Sequence, residues 1–238
     1  MSYITCKDLV LGYNGNAISK KMNFSIDKGD YLFILGENGI GKSTLIKTFL
    51  GLTPAVSGAI SLGDEFTKND IAYLPQRTDA QKDFPATVFE IVLSGALLGK
   101  KRRLFVHSED KEKAKELLKR FEIYDLKDRC FADLSGGQQQ KVLLSRALIA
   151  DRKVIVLDEP VTGLDPMAQQ EMYQFIANLN KEGISIVMIS HDMTAINYAS
   201  YVLHMSHKGN FYGSVEEYKN SKYWTIYNLE QEDEDAVQ

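Results

Sequence analysis

The sequence predicts an α/β fold with a mostly parallel sheet, and three observations carry that prediction. Tyr31-Leu-Phe-Ile-Leu is an apolar run that leads into Gly36-Glu-Asn-Gly39-Ile-Gly41-Lys42-Ser43-Thr44 and then into an apolar-periodic helix. Strand, glycine-rich turn and helix follow one another without a break, the context in which G-x-x-x-x-G-K-[ST] is a phosphate-binding loop. Two more apolar runs, 153–157 and 184–189, are separated by a helical pattern over 167–180, and such alternation builds parallel sheets. Around this P-loop NTPase core the sequence predicts an N-terminal antiparallel β subdomain and an inserted α-helical subdomain.

Taken in order, residues 3–11 alternate as a strand and Gly12-Tyr13-Asn14-Gly15 follows as a turn with an aromatic at its rim. A second strand is expected over 22–26, before the Lys28-Gly29-Asp30 turn. The loop helix should stop near Leu50, where Gly51-Leu-Thr-Pro54 supplies a glycine-then-proline stop. Short strands are expected over 58–62 and 70–74. Residues 86–98 read as an apolar helix and 108–121 as a charged one with Ser108 as its N-cap. The inserted helical block spans 77–133, and its basic run Lys100-Lys-Arg-Arg103 reads as a solvated helix end, with a lipid-headgroup role as the alternative. Asp133-Leu134-Ser135-Gly136-Gly137-Gln138 then opens a helix to about Ala150. Ser190-His191-Asp192 suits a short helix start, and 201–206 with 210–213 suits a closing hairpin. The acidic tail, 228–238, is expected to be solvated and frayed.

Composition removes several classes of function. With 238 residues, 44% hydrophobic and 25% charged, the chain has the balance of one soluble globular domain with a full core. A formal net charge of −4 gives no basic excess with which to hold a phosphate backbone, so nucleic acid is not an expected partner. Cys6 and Cys130 are far apart and lack metal-ligand spacing, so reduced cytosolic thiols are expected. The first residues lack the basic-then-apolar pattern of a signal peptide. No apolar run approaches the roughly 18 residues that span a bilayer, so the chain is expected to be cytoplasmic.

The residue types at these positions point to phosphoryl transfer. Glycines let backbone N–H groups curl around an anion, and a helix N-terminus adds partial positive charge. Lys42 would bridge β- and γ-phosphates, and the Ser43 hydroxyl would sit on Mg²⁺. Asp158 falls at the carboxyl end of a buried strand, where α/β sheets deliver functional groups, and suits a metal ligand. Glu159 beside it can act as general base or orient the attacking water. From the residues alone, Asp-Glu could also cap a helix. Ser135-Gly136-Gly137-Gln138 is either a second anion-binding helix start or a Ser-capped turn. A second cradle in a chain that already has one implies that another subunit completes the site.

The ordered set Gly36–Thr44, Leu134-Ser-Gly-Gly-Gln138 and Val154-Ile-Val-Leu-Asp-Glu-Pro160 resembles the ATP-binding cassette ATPases, over nearly the whole chain. The resemblance implies one nucleotide-binding domain over 1–238 that uses ATP and Mg²⁺. It implies ATP contacts from Gly36, Asn38, Gly39, Gly41, Lys42, Ser43 and Thr44, with Tyr13 stacking on adenine. It implies that Gln76 touches the metal and the attacking water, that Gly163-Leu-Asp165-Pro is the loop communicating between two sites, and that His191 contacts the γ-phosphate. Metal ligands are then Ser43, Gln76 and Asp158, and the catalytic set is Lys42, Gln76, Glu159 and His191. Each has a plainer reading: Tyr13 as a packed strand-end aromatic, Gln76 as a surface residue, His191 as structural.

The family arrangement further implies a head-to-tail homodimer, in which Ser135, Gly136, Gly137 and Gln138 of one copy close on ATP held by the other. With no membrane segment fused, the resemblance implies a peripheral subunit at the cytoplasmic face of the membrane. It would dock on a separate permease through a groove near Gln76 and the helical block, and serve a solute-binding protein indirectly. The stretch from Pro75 to Gly95, with Val202-Leu-His-Met-Ser-His207 and Phe211-Tyr-Gly-Ser-Val-Glu-Glu217-Tyr, resembles the group serving zinc or manganese permeases. The alternatives are another solute, or a soluble ATPase outside transport. His204 and His207, three apart on an expected strand, point to opposite faces and are not expected to share an ion.

Overall fold

The computed structural model describes residues 2–76, 85–97 and 105–226. The loop 77–84, the basic run 100–103 and the acidic tail 228–238 lie outside the described residues, so their expected roles are not carried further by the fold. The chain forms two compact units, Met1–Phe66 with Val187–Gln238, and Thr67–Ile186.

In the first unit, β1 (Ser2–Val10) pairs antiparallel with both β4 (Met22–Asp27) and β6 (Ser57–Leu62). This is the expected antiparallel opening. The turn expected after β1 is a small hairpin, β2 (Gly12–Tyr13) against β3 (Asn16–Ala17), closed by Asn14 and Gly15 at φ 50° and 82°. Two left-handed residues give the turn twist that tight hairpins require.

The strand β5 (Tyr31–Gly36) is buried at every position, and its apolar side chains contribute about 1.5–3 kcal/mol each on burial. It runs parallel to β10 (Tyr201–Met205), which pairs antiparallel with β11 (Phe211–Ser214), the expected closing hairpin. The Tyr31 hydroxyl donates to Met188 Sδ at 3.3 Å, and Met188 lies on β9 (Ser185–Ile189), whose every residue is buried. Helix α1 (Lys42–Phe49) packs Phe49 edge-on to Phe24 of β4, and Phe24 also meets Tyr212 of β11. The hairpin is tied back further by Tyr212 Oη donating to the Ser25 carbonyl at 2.9 Å.

In the second unit, β7 (Ile71–Leu74) and β8 (Val154–Asp158) pair in parallel, Tyr73 beside Val156. With β5 and β10 this meets the expectation of a mostly parallel α/β core. Four helices follow the predicted pattern: α2 (Val88–Leu97), α3 (Ser108–Arg120), α4 (Gly136–Leu148) and α5 (Pro166–Lys181). A Cβ at Gly95 would lie 2.0 Å from the Arg146 carbonyl oxygen, so α2 and α4 cross at a distance only glycine permits. Phe121, just past α3, packs on Phe175 of α5 with ring centroids 4.0 Å apart.

Two local expectations change. Ser108 is the first helical residue of α3 and not its cap: the cap is His107, whose N–H donates to Asp110 Oδ2 at 2.9 Å. The acidic residue three positions on satisfies the helix start one residue earlier than the serine could. A short helix, α6 (Val215–Lys219), also follows β11, started by a reciprocal Ser214–Glu217 capping box. That Ser-x-x-Glu spacing is a start signal visible in the sequence.

His204 is buried on β10, 6% exposed, with Nδ1 2.9 Å from the Tyr218 hydroxyl, and rings of Tyr218 and Tyr223 pack against it. His207 lies beyond the end of β10, with its Nε2 3.9 Å from Glu37 Oε2. Burial pushes the His204 imidazole down to about 4 from 6.5. The native state therefore holds it neutral, whereas the unfolded chain protonates it near 6.5. Its contribution is full above that pH and declines toward pH 4, by about 3 kcal/mol in total. Urea unfolding from pH 7 to pH 4.5 should show this loss, and His204→Gln should flatten it; an unchanged slope in the variant would refute the assignment.

Candidate active site

The first unit supplies a phosphate cradle. β5 ends at Gly36 and α1 begins at Lys42, and the six-residue passage is possible because Gly36, Gly39 and Gly41 hold φ of 147°, 79° and 109°. Ile40, 1% exposed, anchors the middle of the loop in the core, while Glu37, Asn38 and Gly39 face outward. The N-cap of α1 is Gly41, with no side-chain cap and no acidic residue in the first turn. The helix start thus keeps its positive end available to an anion.

Lys42 is buried, and its ammonium donates to the carbonyls of Gly36 at 2.5 Å and Glu37 at 3.0 Å. The charge is held inside the loop by the loop's own oxygens. Ser43 is exposed, so its hydroxyl is accessible in the first helical turn. Tyr13, 44% exposed, shares a hydrogen bond of 2.9 Å with Thr44 Oγ1. The small hairpin therefore brings Tyr13 to the cradle, an association that sequence spacing alone cannot show. His191 follows β9 and is exposed, between Ser190, whose Oγ accepts from the Asp192 N–H at 3.1 Å, and Asp192, which caps the next turn through the Thr194 N–H at 2.8 Å.

The second unit supplies the acidic pair and the serine-glycine turn. Asp158 ends β8 and is 9% exposed. Tyr73 Oη donates to its Oδ2 at 3.1 Å. Burial first, then the Asp158 charge and the bond to it, push the Tyr73 phenol well above its usual value, so it remains a donor. Glu159 is half-buried at φ 51°, a left-handed conformation that a non-glycine residue adopts at a cost of about 1–3 kcal/mol. Thr162 Oγ1 donates to its Oε2 at 3.3 Å.

Ser135 caps α4: its Oγ accepts from the Gln138 N–H at 3.4 Å and its own N–H donates to Gln138 Oε1 at 3.0 Å. Asp165 caps α5, Oδ1 accepting from the N–H groups of Met167 at 3.1 Å and Ala168 at 3.0 Å. The Ser-capped turn read from Ser135–Gln138 is thus observed in the fold, and the Asp165 cap is an addition to it. Gln76 is exposed beyond β7. Beside that strand lies a groove of about 220 Å³ lined by Tyr73, Pro75, Gly95, Leu143, Arg146 and Arg152. The Arg146 guanidinium donates from Nε to Ser94 Oγ at 2.9 Å. The two arginines and Tyr73 are the residues that sequence reasoning left without a role. For Tyr73 no sequence signal existed, because its register against Val156 is fixed only in the folded sheet.

The donor types suit Mg²⁺: the Asp158 carboxylate in the second unit and, separately, the Ser43 hydroxyl in the first are hard oxygens of the kind that bind this ion. Among the described residues, no helix is long and apolar enough to cross a membrane.

Comparisons with known proteins give the family. The family model described as ABC transporter matches residues 19–162. The chain is 35% identical to the zinc uptake system ATP-binding protein ZurA of Listeria innocua, over 87% of this chain and 84% of that protein. It is 33% identical to the manganese transport system ATP-binding protein MntB of Bacillus subtilis, over 94% and 89%. Among solved structures, cbiO1 of Clostridium perfringens, part of the ABC transporter complex cbiONQ, superposes with a TM-score of 0.81 at 30% identity, covering 93% of this chain and 92% of that one.

The loop geometry separates two glycines. A Cβ at Gly36 would lie 2.2 Å from the Met205 carbonyl oxygen, whereas one at Gly39 would meet nothing within 4 Å. Gly39→Ala should cost about 1–2 kcal/mol of backbone strain, and Gly36→Ala should cost more because a backbone atom must move. Equal unfolding midpoints for the two variants would contradict the geometry.

Proposed function

This chain belongs to the ABC transporter family, and from that premise we propose that it is the ATP-hydrolysing subunit of an uptake system for zinc or manganese ions. The observation that carries the ATPase reading is the Gly36–Thr44 loop, with left-handed glycines, a buried lysine and an uncapped helix start. The solute is supported by the relatives named for zinc uptake and manganese transport.

In this reading Tyr13 stacks on adenine, and the backbone N–H groups of Gly36 to Thr44, Asn38 included, hold the phosphates. The Lys42 ammonium exchanges the Gly36 and Glu37 carbonyls for β- and γ-phosphate oxygens, a better electrostatic match for a buried cation. Ser43, Asp158 and Gln76 would hold Mg²⁺. When bound, the ion neutralises charge on the phosphate oxygens. Glu159 accepts the hydrogen bond of the attacking water, and its left-handed backbone sets the direction in which its carboxylate leaves the end of β8. His191 contacts the γ-phosphate.

The partners follow from the same reading. A second copy of this chain supplies Ser135, Gly136, Gly137 and Gln138 to the bound nucleotide, and Asp165 lies on the loop linking the two sites. ATP binding at both sites favours the closed pair, and hydrolysis with release reopens it. The helical subdomain, residues 77–133, and the groove beside Gln76 receive a cytoplasmic helix of a membrane permease, with the chain peripheral to that face of the membrane. A solute-binding protein delivers the ion from the other side.

Glu159→Gln should bind ATP and accumulate as a dimer while turnover falls about 10²–10⁴-fold, the scale of a lost general base; wild-type turnover would remove Glu159 from the role. Lys42→Ala should lose nucleotide affinity in equilibrium titrations, and an unchanged affinity would overturn the cradle assignment. Cells lacking the chain should grow poorly in metal-depleted medium and recover with added zinc or manganese. Recovery with neither ion would refute the solute.

A further inference from the structure

The reading above assigns Asp158 to the metal but says nothing of what keeps its carboxylate in one orientation. β7 and β8 are parallel and in register, with Tyr73 beside Val156. Side chains on one face of a strand recur every second residue, so Asp158 rises from the same face as Val156, about 6.6 Å further along the strand. Side chains on strands lean along the strand direction, and that offset matches the reach of a tyrosine. The phenol accordingly meets Asp158 Oδ2 at 3.1 Å.

Tyr73 is 36% exposed and Asp158 is 9% exposed. Water can reach the tyrosine, so the bond is not required to rescue a stranded phenol. The group that gains is the buried carboxylate, whose rotation the bond restrains. The chemistry of the donor also matters. A lysine or arginine here would cancel the negative charge that a dication needs, whereas a neutral hydroxyl restrains the carboxylate and leaves its charge in place.

We infer that Tyr73 is a positioning residue for the metal-binding carboxylate, holding Asp158 through Oδ2 in the rotamer that receives Mg²⁺. This rests on the ATPase reading and deepens it. Tyr73 acts through Asp158, so it sets the magnesium dependence of nucleotide binding and leaves metal-free binding alone.

The test is Tyr73→Phe in the full chain, with ATP affinity measured by calorimetry in excess EDTA and across a Mg²⁺ titration. Metal-free affinity should match wild type, and the Mg²⁺ concentration giving half-maximal enhancement should rise about 10-fold, the scale of lost outer-shell support for a metal ligand. In an Asp158→Asn background the same substitution should change the Mg²⁺ midpoint no further. An unchanged midpoint in Tyr73→Phe overturns the inference, as does an equal loss of affinity with and without metal, which is the signature of a merely structural role. A further shift in the Asp158→Asn background overturns it too. Wild-type protein showing no Mg²⁺-dependent ATP binding would instead sink the ATPase reading itself, so the two failures are distinguishable.

Discussion

The structure depends on one backbone constraint: a fully buried strand must end at Gly36 and a helix begin at Lys42. Three left-handed glycines at Gly36, Gly39 and Gly41 make that turn possible, and Ile40 fastens its middle to the core. Lys42 then holds its charge against the Gly36 and Glu37 carbonyls. A buried ammonium without such partners would carry a large desolvation penalty. The same oxygens that make the lysine tolerable inside the protein also hold it at the mouth of the cradle.

The second unit solves the complementary problem of keeping negative charge buried but usable. Asp158 is restrained by a neutral phenol and Glu159 by a threonine hydroxyl. Both donors hold a carboxylate without neutralising it. The backbone strain at Glu159 belongs with this arrangement, because a left-handed residue directly after β8 redirects the chain and aims consecutive acidic side chains differently. Elsewhere in the unit, Ser135 and Asp165 cap α4 and α5. A helix start built this way is both structurally satisfied and rich in N–H groups, so a capping role and an anion-facing role can be carried by one turn.

His204 shows how a metal-transport resemblance could mislead. A histidine pair near the end of a chain related to zinc and manganese systems invites an ion site. The fold instead buries His204 among Tyr218 and Tyr223, where its imidazole is kept neutral. His207 lies past the end of β10, in the turn that follows it.

Most of the architecture was legible in the sequence because its signals are local. The glycine-rich loop, the apolar runs of β5, β8 and β9, the Ser-x-x-Gln start of α4 and the Asp-Pro start of α5 each rest on interactions within a few residues. Where local signals competed, as at His107 and Ser108, the outcome turned on one side-chain bond from Asp110. What the sequence determined by itself was which segments become strand, glycine-rich turn and helix. Only the tertiary structure decided that Tyr13 reaches Thr44, that Tyr73 reaches Asp158, and that Gly95 lies under the Arg146 carbonyl. Those contacts join residues 31, 85 and 51 positions apart, and they depend on strand register and helix crossing distance, quantities that no local pattern encodes.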